Sequence, residues 1–311
     1  MQVAVVQDGP TAFDRESTLV TIDARTREAA SAGAGLVLFP EAFIGGYPRG
    51  STFSSVIGAR DRSGYQLYRR YWESAVDVPG EMVDRLADLA TELGVFLVIG
   101  VMEREGGTLF CTVLFFGPEG YLGKHRKLIP TGLERAVWGR GDGSTLPVFD
   151  TPAGRMGAVI CWENYMPLLR MAMYDKGVQL YLAPTADSRD TWVATMRHIA
   201  VEGRCYVLGC NQFTRRGDYP PEMDSTYGDD PDTIVTRGGS CIIDPYGQVL
   251  AGPLYDEAGI LYADVDPGET RAAKFDFEVA GHYARPDVFQ LSVNETRQLS
   301  TVRHDEGEES R

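Results

Sequence analysis

The apolar positions of this chain come in short blocks whose spacing changes from block to block. "QVAVVQ" (2–7) reads as a strand, and the stretch from Asp14 to Gly33 reads as a helix closed by glycines. "LVLFP" (36–40) is a second short buried strand ended by proline. Between Met82 and Leu93 the apolar residues fall at Met82, Leu86, Leu89 and Leu93, which sets one stripe on one helix face. "VFLVIGVMER" (95–104) then returns to strand character.

"TLFCTVLFFG" and "GYLGKHRKL" flank the turn signal "GPEG" and predict a hairpin. Three further strand-like runs, "RMGAVIC", "VQLYLAP" and "CYVLGCNQ", are separated by helix patterns near 167–176 and 190–203. "GSCIIDPYGQVLAG" predicts another hairpin with its turn at "DPYG". Crossovers through helices mixed with hairpins predict an α/β fold with mixed sheets. Two segments resist assignment to a sheet: 43–78, rich in Gly, Ser, Tyr and Arg, and 213–237, rich in Asp, Pro and Gly. Long excursions of this kind in a compact domain usually serve function or form an interface. The pattern is read as one domain over 1–285, followed by a partly disordered tail over 286–311 that ends in the charged run "RHDEGEESR".

Composition narrows the function classes. A length of 311 residues is enough to bury a sizeable core without disulfide staples. The opening "MQVAVVQDGP" has no charged leader, which reads against a signal or transit peptide, and no apolar run suits a membrane span. Five cysteines without metal-ligand or redox spacing suit a reducing cytoplasm. A net charge of −14 works against nucleic-acid binding, because that affinity rests on neutralising phosphates.

Candidate chemistry sits at strand ends. Glu41 follows "LVLFP", Lys127 ends "GYLGKHRK" and Cys161 ends "RMGAVI". In sheets with helical crossovers such ends converge on one crevice. A carboxylate can take a thiol proton, the thiolate can attack an unsaturated carbon, and an ammonium can stabilise the anion that forms. Such a set would hydrolyse a carbon–nitrogen bond with no metal or cofactor.

Taken together, "FPEAFIGGYPRG" (39–50), "HRKLIPTGLERAVWGRGDGS" (125–144) and "CWENYMPLLRMAMY" (161–174) resemble the nitrilase branch of the carbon-nitrogen hydrolase superfamily. "APTADSRDTWVATMRHIAVEGRCYVLGCNQ" (183–212) and "GHYARPDVFQLSVN" (281–294) extend the resemblance over nearly the whole chain. It implies a Glu-Lys-Cys triad at Glu41, Lys127 and Cys161 and a second glutamate at Glu134 that holds Lys127 or orients water. It also implies a four-layer αββα sandwich that pairs through its helices into a homodimer or larger oligomer. The "CWEN" and "ERxxWGxGDGS" patterns favour a small-molecule nitrile as substrate, hydrolysed to acid and ammonia through a thioimidate and a thioester. Tyr47, Trp162 and Tyr165 are candidate substrate walls, since aromatic faces suit the apolar body of a nitrile.

Other readings stay open at this point. They are an amidase or carbamoyl hydrolase on the same scaffold, a cyanide-converting enzyme and, from a different class, an inactive assembly or binding module. "GRGDGS" lacks the strand–turn–helix context of a dinucleotide cradle, and "NET" (294–296) is a glycosylation sequon with meaning only after secretion. His198 reads as a packed or hydrogen-bonded structural residue, and Trp192 as core.

Overall fold

A computed structural model describes residues 1–299 and 301. Its first half runs β1 (Gln2–Gln7), α1 (Arg15–Ser31), β2 (Ala34–Leu38), a small hairpin β3 and β4 (Ser55–Val56, Ala59–Arg60), α2 (Arg62–Ser74) and α3 (Glu81–Leu93). The long antiparallel strands β5 (Phe96–Glu105), β6 (Thr108–Gly117) and β7 (Gly120–Arg126) follow. The second half runs β8 (Phe149–Thr151), β9 (Gly154–Ala158), α4 (Pro167–Asp175), β10 (Leu180–Thr185), α5 (Asp190–Gly203), β11 (Tyr206–Asn211) and β12 (Phe213–Arg215). It closes with β13 (Ile234–Ile243), β14 (Val249–Tyr255), β15 (Gly259–Asp264) and α6 (Pro267–Ala273).

Two large sheets result. One has the order β15-β1-β2-β5-β6-β7, and the other β12-β13-β11-β10-β9-β8 with β14 paired to β13. Both mix parallel and antiparallel neighbours, as the alternation of crossovers and hairpins predicts.

The period-2 geometry of the strands sorts side chains into layers. Along β1, Val3 and Val5 enter the core between the sheets, whereas Ala4 and Val6 face the core under α1 and α3. Along β10, Leu180 and Leu182 face the first sheet, whereas Tyr181 and Ala183 pack under α4 and α5. Three buried clusters, one under α1 and α3, one between the sheets and one under α4 and α5, make the αββα sandwich. The α3 stripe of Met82, Leu86 and Leu89 is buried as its spacing predicts. A buried side chain also joins the sheets: Gly239 N and Ser240 N of β13 both donate to Gln7 Oε1 of β1 at 3.0 Å.

The excursions hold more structure than their composition suggests. Segment 43–78 contains α2, whose buried face is Gly64, Leu67, Tyr71 and Ser74. Segment 213–237 contributes β12 and the start of β13 to the second sheet, correcting the expectation that it lies outside the sheets. The strand expected over "RMGAVIC" stops at Ala158, and the chain runs on extended through Ile160 before it turns at Cys161. Residues 286–299 run without helix or strand and are almost entirely exposed, tied to the body by Gln298 N donating to Asp142 at 2.7 Å. The run 303–311 lies outside the described residues. Among the described residues, no helix is long and apolar enough to cross a membrane.

Candidate active site

Glu41 sits in a turn that only a particular backbone can make. After β2 the chain crosses β5, with Phe39 N donating to Val98 O at 2.8 Å and Gly100 N donating to Pro40 O at 3.1 Å. A β-carbon at position 100 would lie 2.3 Å from Pro40 O and 2.6 Å from Ala42 N, so β5 needs glycine there for the turn to pack against it. Ala42 adopts φ +48°, and Glu41, fully buried, accepts Gln212 Nε2 on its own carbonyl at 2.6 Å.

Lys127 follows β7, its amide donating to Cys111 O at 2.8 Å. Its buried ammonium lies 2.6 Å from Glu41 Oε1 and 2.9 Å from Glu134 Oε2, and 5.5 Å from the centre of the Trp138 ring. A cation over an indole face gains further electrostatic attraction. Glu134 belongs to a short 3-10 turn, Gly132–Ala136; Thr131 N donates to its Oε2 at 2.6 Å and the Tyr47 hydroxyl to its Oε1 at 2.7 Å. The second carboxylate is thereby fixed from three sides.

Cys161 opens the 3-10 turn Cys161–Tyr165 with φ +50°, a left-handed conformation that costs a residue with a side chain about 1–2 kcal/mol. The bend lifts the thiol off the end of the strand. Thr185 Oγ1, from the end of the neighbouring β10, donates to Cys161 Sγ at 3.2 Å and accepts from Asp187 N at 2.9 Å. One residue on, Ala186 N donates to Glu41 Oε2 at 3.0 Å. Glu41 and Lys127 thus come from the first sheet and Cys161 and Thr185 from the second, and they meet where the sheets abut.

Burial shapes the protonation states. It pushes the Cys161 thiol well up, and the Glu41 charge adds to this while Lys127 and the Thr185 hydroxyl oppose it. Burial also raises Glu41 and Glu134 raises it further, against the lowering by Lys127 and by hydrogen bonding with the Cys161 thiol. Burial alone would lower Lys127, but the Glu41 charge leads several neighbours in raising it well above its ordinary value, so it stays an ammonium. A carboxylate made more basic beside a thiol, with a fixed cation in contact, can accept that proton without leaving the site uncompensated.

The thiol opens on a cavity of about 480 Å³ lined by Tyr47, Arg49, Glu134, Trp138 and Trp162 among others. Of the aromatic residues expected to line it, Tyr47 and Trp162 do. Tyr165 does not: it stands behind Trp162, edge-on at 5.8 Å, and against Trp192 at 6.1 Å. Trp162 is held by Nε1 donating to Asp187 Oδ2 at 2.8 Å and by the Arg189 guanidinium 4.7 Å over its ring. Trp192 is core. His198 is exposed on α5, 3.6 Å from Glu202, rather than packed. Among the described residues, no cluster of His, Cys, Asp or Glu suits a metal ion.

Several participants escape a reading by residue type. The Ala186 amide is backbone, and Thr185 lies inside an apolar run. Cys111, whose Sγ lies 3.5 Å from Glu41 Oε1, reads as core. Trp138 stands within the quoted "ERAVWG", the one signal that could have found it.

The carbon-nitrogen hydrolase family profile matches residues 2–275. A bifunctional nitrilase/nitrile hydratase of Nicotiana tabacum is 57% identical over 95% of this chain and 86% of its own length. An aliphatic nitrilase of Sinorhizobium fredii is 55% identical over 97% of this chain and 98% of its own. Among solved structures, a nitrilase-superfamily member of Saccharomyces cerevisiae superposes with a TM-score of 0.69 at 24% identity, covering 91% of this chain and 96% of that one. An amidase of Nesterenkonia sp. gives 0.66 at 23% identity, covering 87% and 92%.

Proposed function

This chain belongs to the carbon-nitrogen hydrolase family, in its nitrilase branch, and from that membership we propose that it hydrolyses an organic nitrile to the carboxylic acid and ammonia with Cys161 as nucleophile. The observation that carries the assignment of roles is the Lys127 ammonium held between Glu41 and Glu134 beside a buried thiol.

Glu41 takes the Cys161 proton as sulfur attacks the nitrile carbon; the carbon–sulfur bond forms, one carbon–nitrogen π bond breaks, and the nitrogen takes the proton to give a thioimidate. Lys127 and the Trp162 amide at the start of the 3-10 turn stabilise charge on that nitrogen. Water then adds, its proton passing by way of Glu41 to nitrogen. As the carbonyl forms, the hydroxyl proton also passes by way of Glu41 to nitrogen, the carbon–nitrogen bond breaks, ammonia leaves, and a thioester remains. A second water splits the thioester, releasing the acid and returning the proton to sulfur. Glu134 keeps Lys127 charged and in place throughout. Tyr47 and Trp162 flank the substrate.

Collapse of the tetrahedral species through the carbon–sulfur bond would instead release amide. The tobacco relative is a bifunctional nitrilase/nitrile hydratase, which favours some amide as a second product here. A cytoplasmic location and assembly into a homodimer or larger homo-oligomer complete the reading.

The test is to incubate the protein and Cys161→Ala with aliphatic, aromatic and amino-acid nitriles and their matching amides, quantifying ammonia, acid and amide. Acid with equimolar ammonia from nitriles, absent in the variant, is expected. Turnover of amides alone would move the chain to an amidase role, and inactivity of folded protein would favour a binding module.

A further inference from the structure

We propose that Glu163 and His125 are positioning residues that lock the lysine strand end and the cysteine turn to each other across the two sheets. The proposal rests on the roles given above to Lys127 and Cys161. Glu163 lies two positions after Cys161 and is almost wholly buried, yet it does not line the cavity. Its Oε1 accepts from Leu128 N at 2.5 Å, and its Oε2 accepts from Ile160 N at 2.9 Å. Leu128 is the residue after Lys127, and Ile160 is the residue before Cys161. One carboxylate thus staples the main chain beside both reacting groups, one following β7 of the first sheet and the other following β9 of the second.

His125 completes the clamp. It is fully buried on β7, two residues before Lys127, with Nδ1 2.6 Å from Thr145 O and Nε2 3.0 Å from Glu163 Oε2. A carbonyl oxygen can only accept, so Nδ1 carries a proton. Burial lowers this imidazole, but the Glu163 charge, the bond to Glu163 and the Thr145 carbonyl together raise it above its ordinary value, which favours Nε2 donating to a Glu163 carboxylate. The pair therefore satisfies itself away from solvent, and its charge never faces the cavity.

The Cys161 turn needs such restraint. A left-handed backbone at a residue with a side chain persists only where the surroundings over-determine it. Asn164 pins the same turn from its other side, its Nδ2 donating to Val159 O at 3.0 Å and to Cys161 O at 2.8 Å. The clamp fixes where the thiol stands relative to the ammonium.

Glu163→Gln tests this, because an amide offers only one acceptor oxygen and must turn its NH₂ toward one of the two amide donors. In the folded variant kcat should fall about 10- to 100-fold, the scale of an ångström-sized misplacement, with KM little changed. The rate of Cys161 alkylation by iodoacetamide, measured without nitrile, should fall in parallel. His125→Asn, which leaves both amide bonds to Glu163, should show a smaller drop in the same two quantities and carries the test if Glu163→Gln does not fold. A lower melting temperature with kcat and alkylation rate within about two-fold of wild type would mark both residues as merely structural and overturn the proposal. Wild-type protein that keeps its turnover after alkylation at Cys161 would instead overturn the nucleophile assignment, an outcome visible without any variant.

Discussion

The Tyr47 hydroxyl donates to Glu134 Oε1 at 2.7 Å, while the other oxygen of the same carboxylate accepts Lys127 at 2.9 Å. A cavity wall and the buried ammonium are therefore coupled through one side chain. Tyr47→Phe keeps the ring and removes this bond. A hydrogen bond to a charged group contributes about 1.5–3 kcal/mol to stability, so the melting temperature should fall by a few degrees, and kcat/KM should drop at least about ten-fold where the same bond holds Lys127 in place. Steady-state ammonia release and a thermal melt on the same preparation decide it. Unchanged kinetics would separate Tyr47 from the reaction.

Thr185→Val should slow the chemistry of the thiol without emptying the site. The hydroxyl donates to Cys161 Sγ and opposes the burial that raises that group. Its loss removes about one net hydrogen bond, 0.5–1.5 kcal/mol, and leaves Asp187 N without its acceptor. Cys161 alkylation at fixed pH should fall by about three- to ten-fold on that scale, with Thr185→Ser close to wild type. Equal rates in the valine and serine variants would show that the hydroxyl is not what matters.

Gly100→Ala is expected to be among the most damaging small substitutions in the protein. The added methyl meets main-chain atoms at 2.3 and 2.6 Å, and main chain cannot swing aside as a side chain can. The Glu41 turn must move off β5, at a cost of about 3 kcal/mol. Denaturant unfolding and nitrile turnover should both suffer; a variant of wild-type stability would mean the turn relaxes freely.

Stability should carry a signature of His125 on the alkaline side. Burial pulls this imidazole down, but the Glu163 charge, the bond to Glu163 and the Thr145 carbonyl together raise it above its ordinary value of 6.5. A raised value in the folded state means the contribution is fully present below about pH 6.5 and fades as pH climbs through the folded-state value. The melting temperature of wild type should therefore exceed that of His125→Asn most at low pH, and the gap should narrow as pH rises. A gap that stays constant with pH would show that the ring does not titrate in the folded protein.

Much of this architecture is legible in the chain because apolar spacing records which layer each residue enters. β1, α3 and the β6–β7 hairpin declare themselves in this way. Helix α2 does not, because its buried face includes Gly64 and Ser74, which add nothing to a hydrophobic period, and its apolar anchors Leu67 and Tyr71 stand among arginines and tyrosines. The placement of Glu41, Lys127 and Cys161 beyond strand ends is equally legible. Their mutual contacts are not, for they depend on backbone amides such as Ala186 N and on a bend at Cys161 that no residue type announces. Glu163 shows the same limit: it stands in the quoted "CWEN", yet the two main-chain partners that define it are 35 and 3 positions away.

The meeting of the two sheets at the site has a mechanical side. Half of the machinery is mounted on each slab, so a shear of the slabs by an ångström would part base from nucleophile while leaving every strand and helix formed. Turnover thus gauges how the halves are seated. Substitutions in the shared core, far from any reacting atom, should silence the enzyme at temperatures where its secondary structure still looks whole.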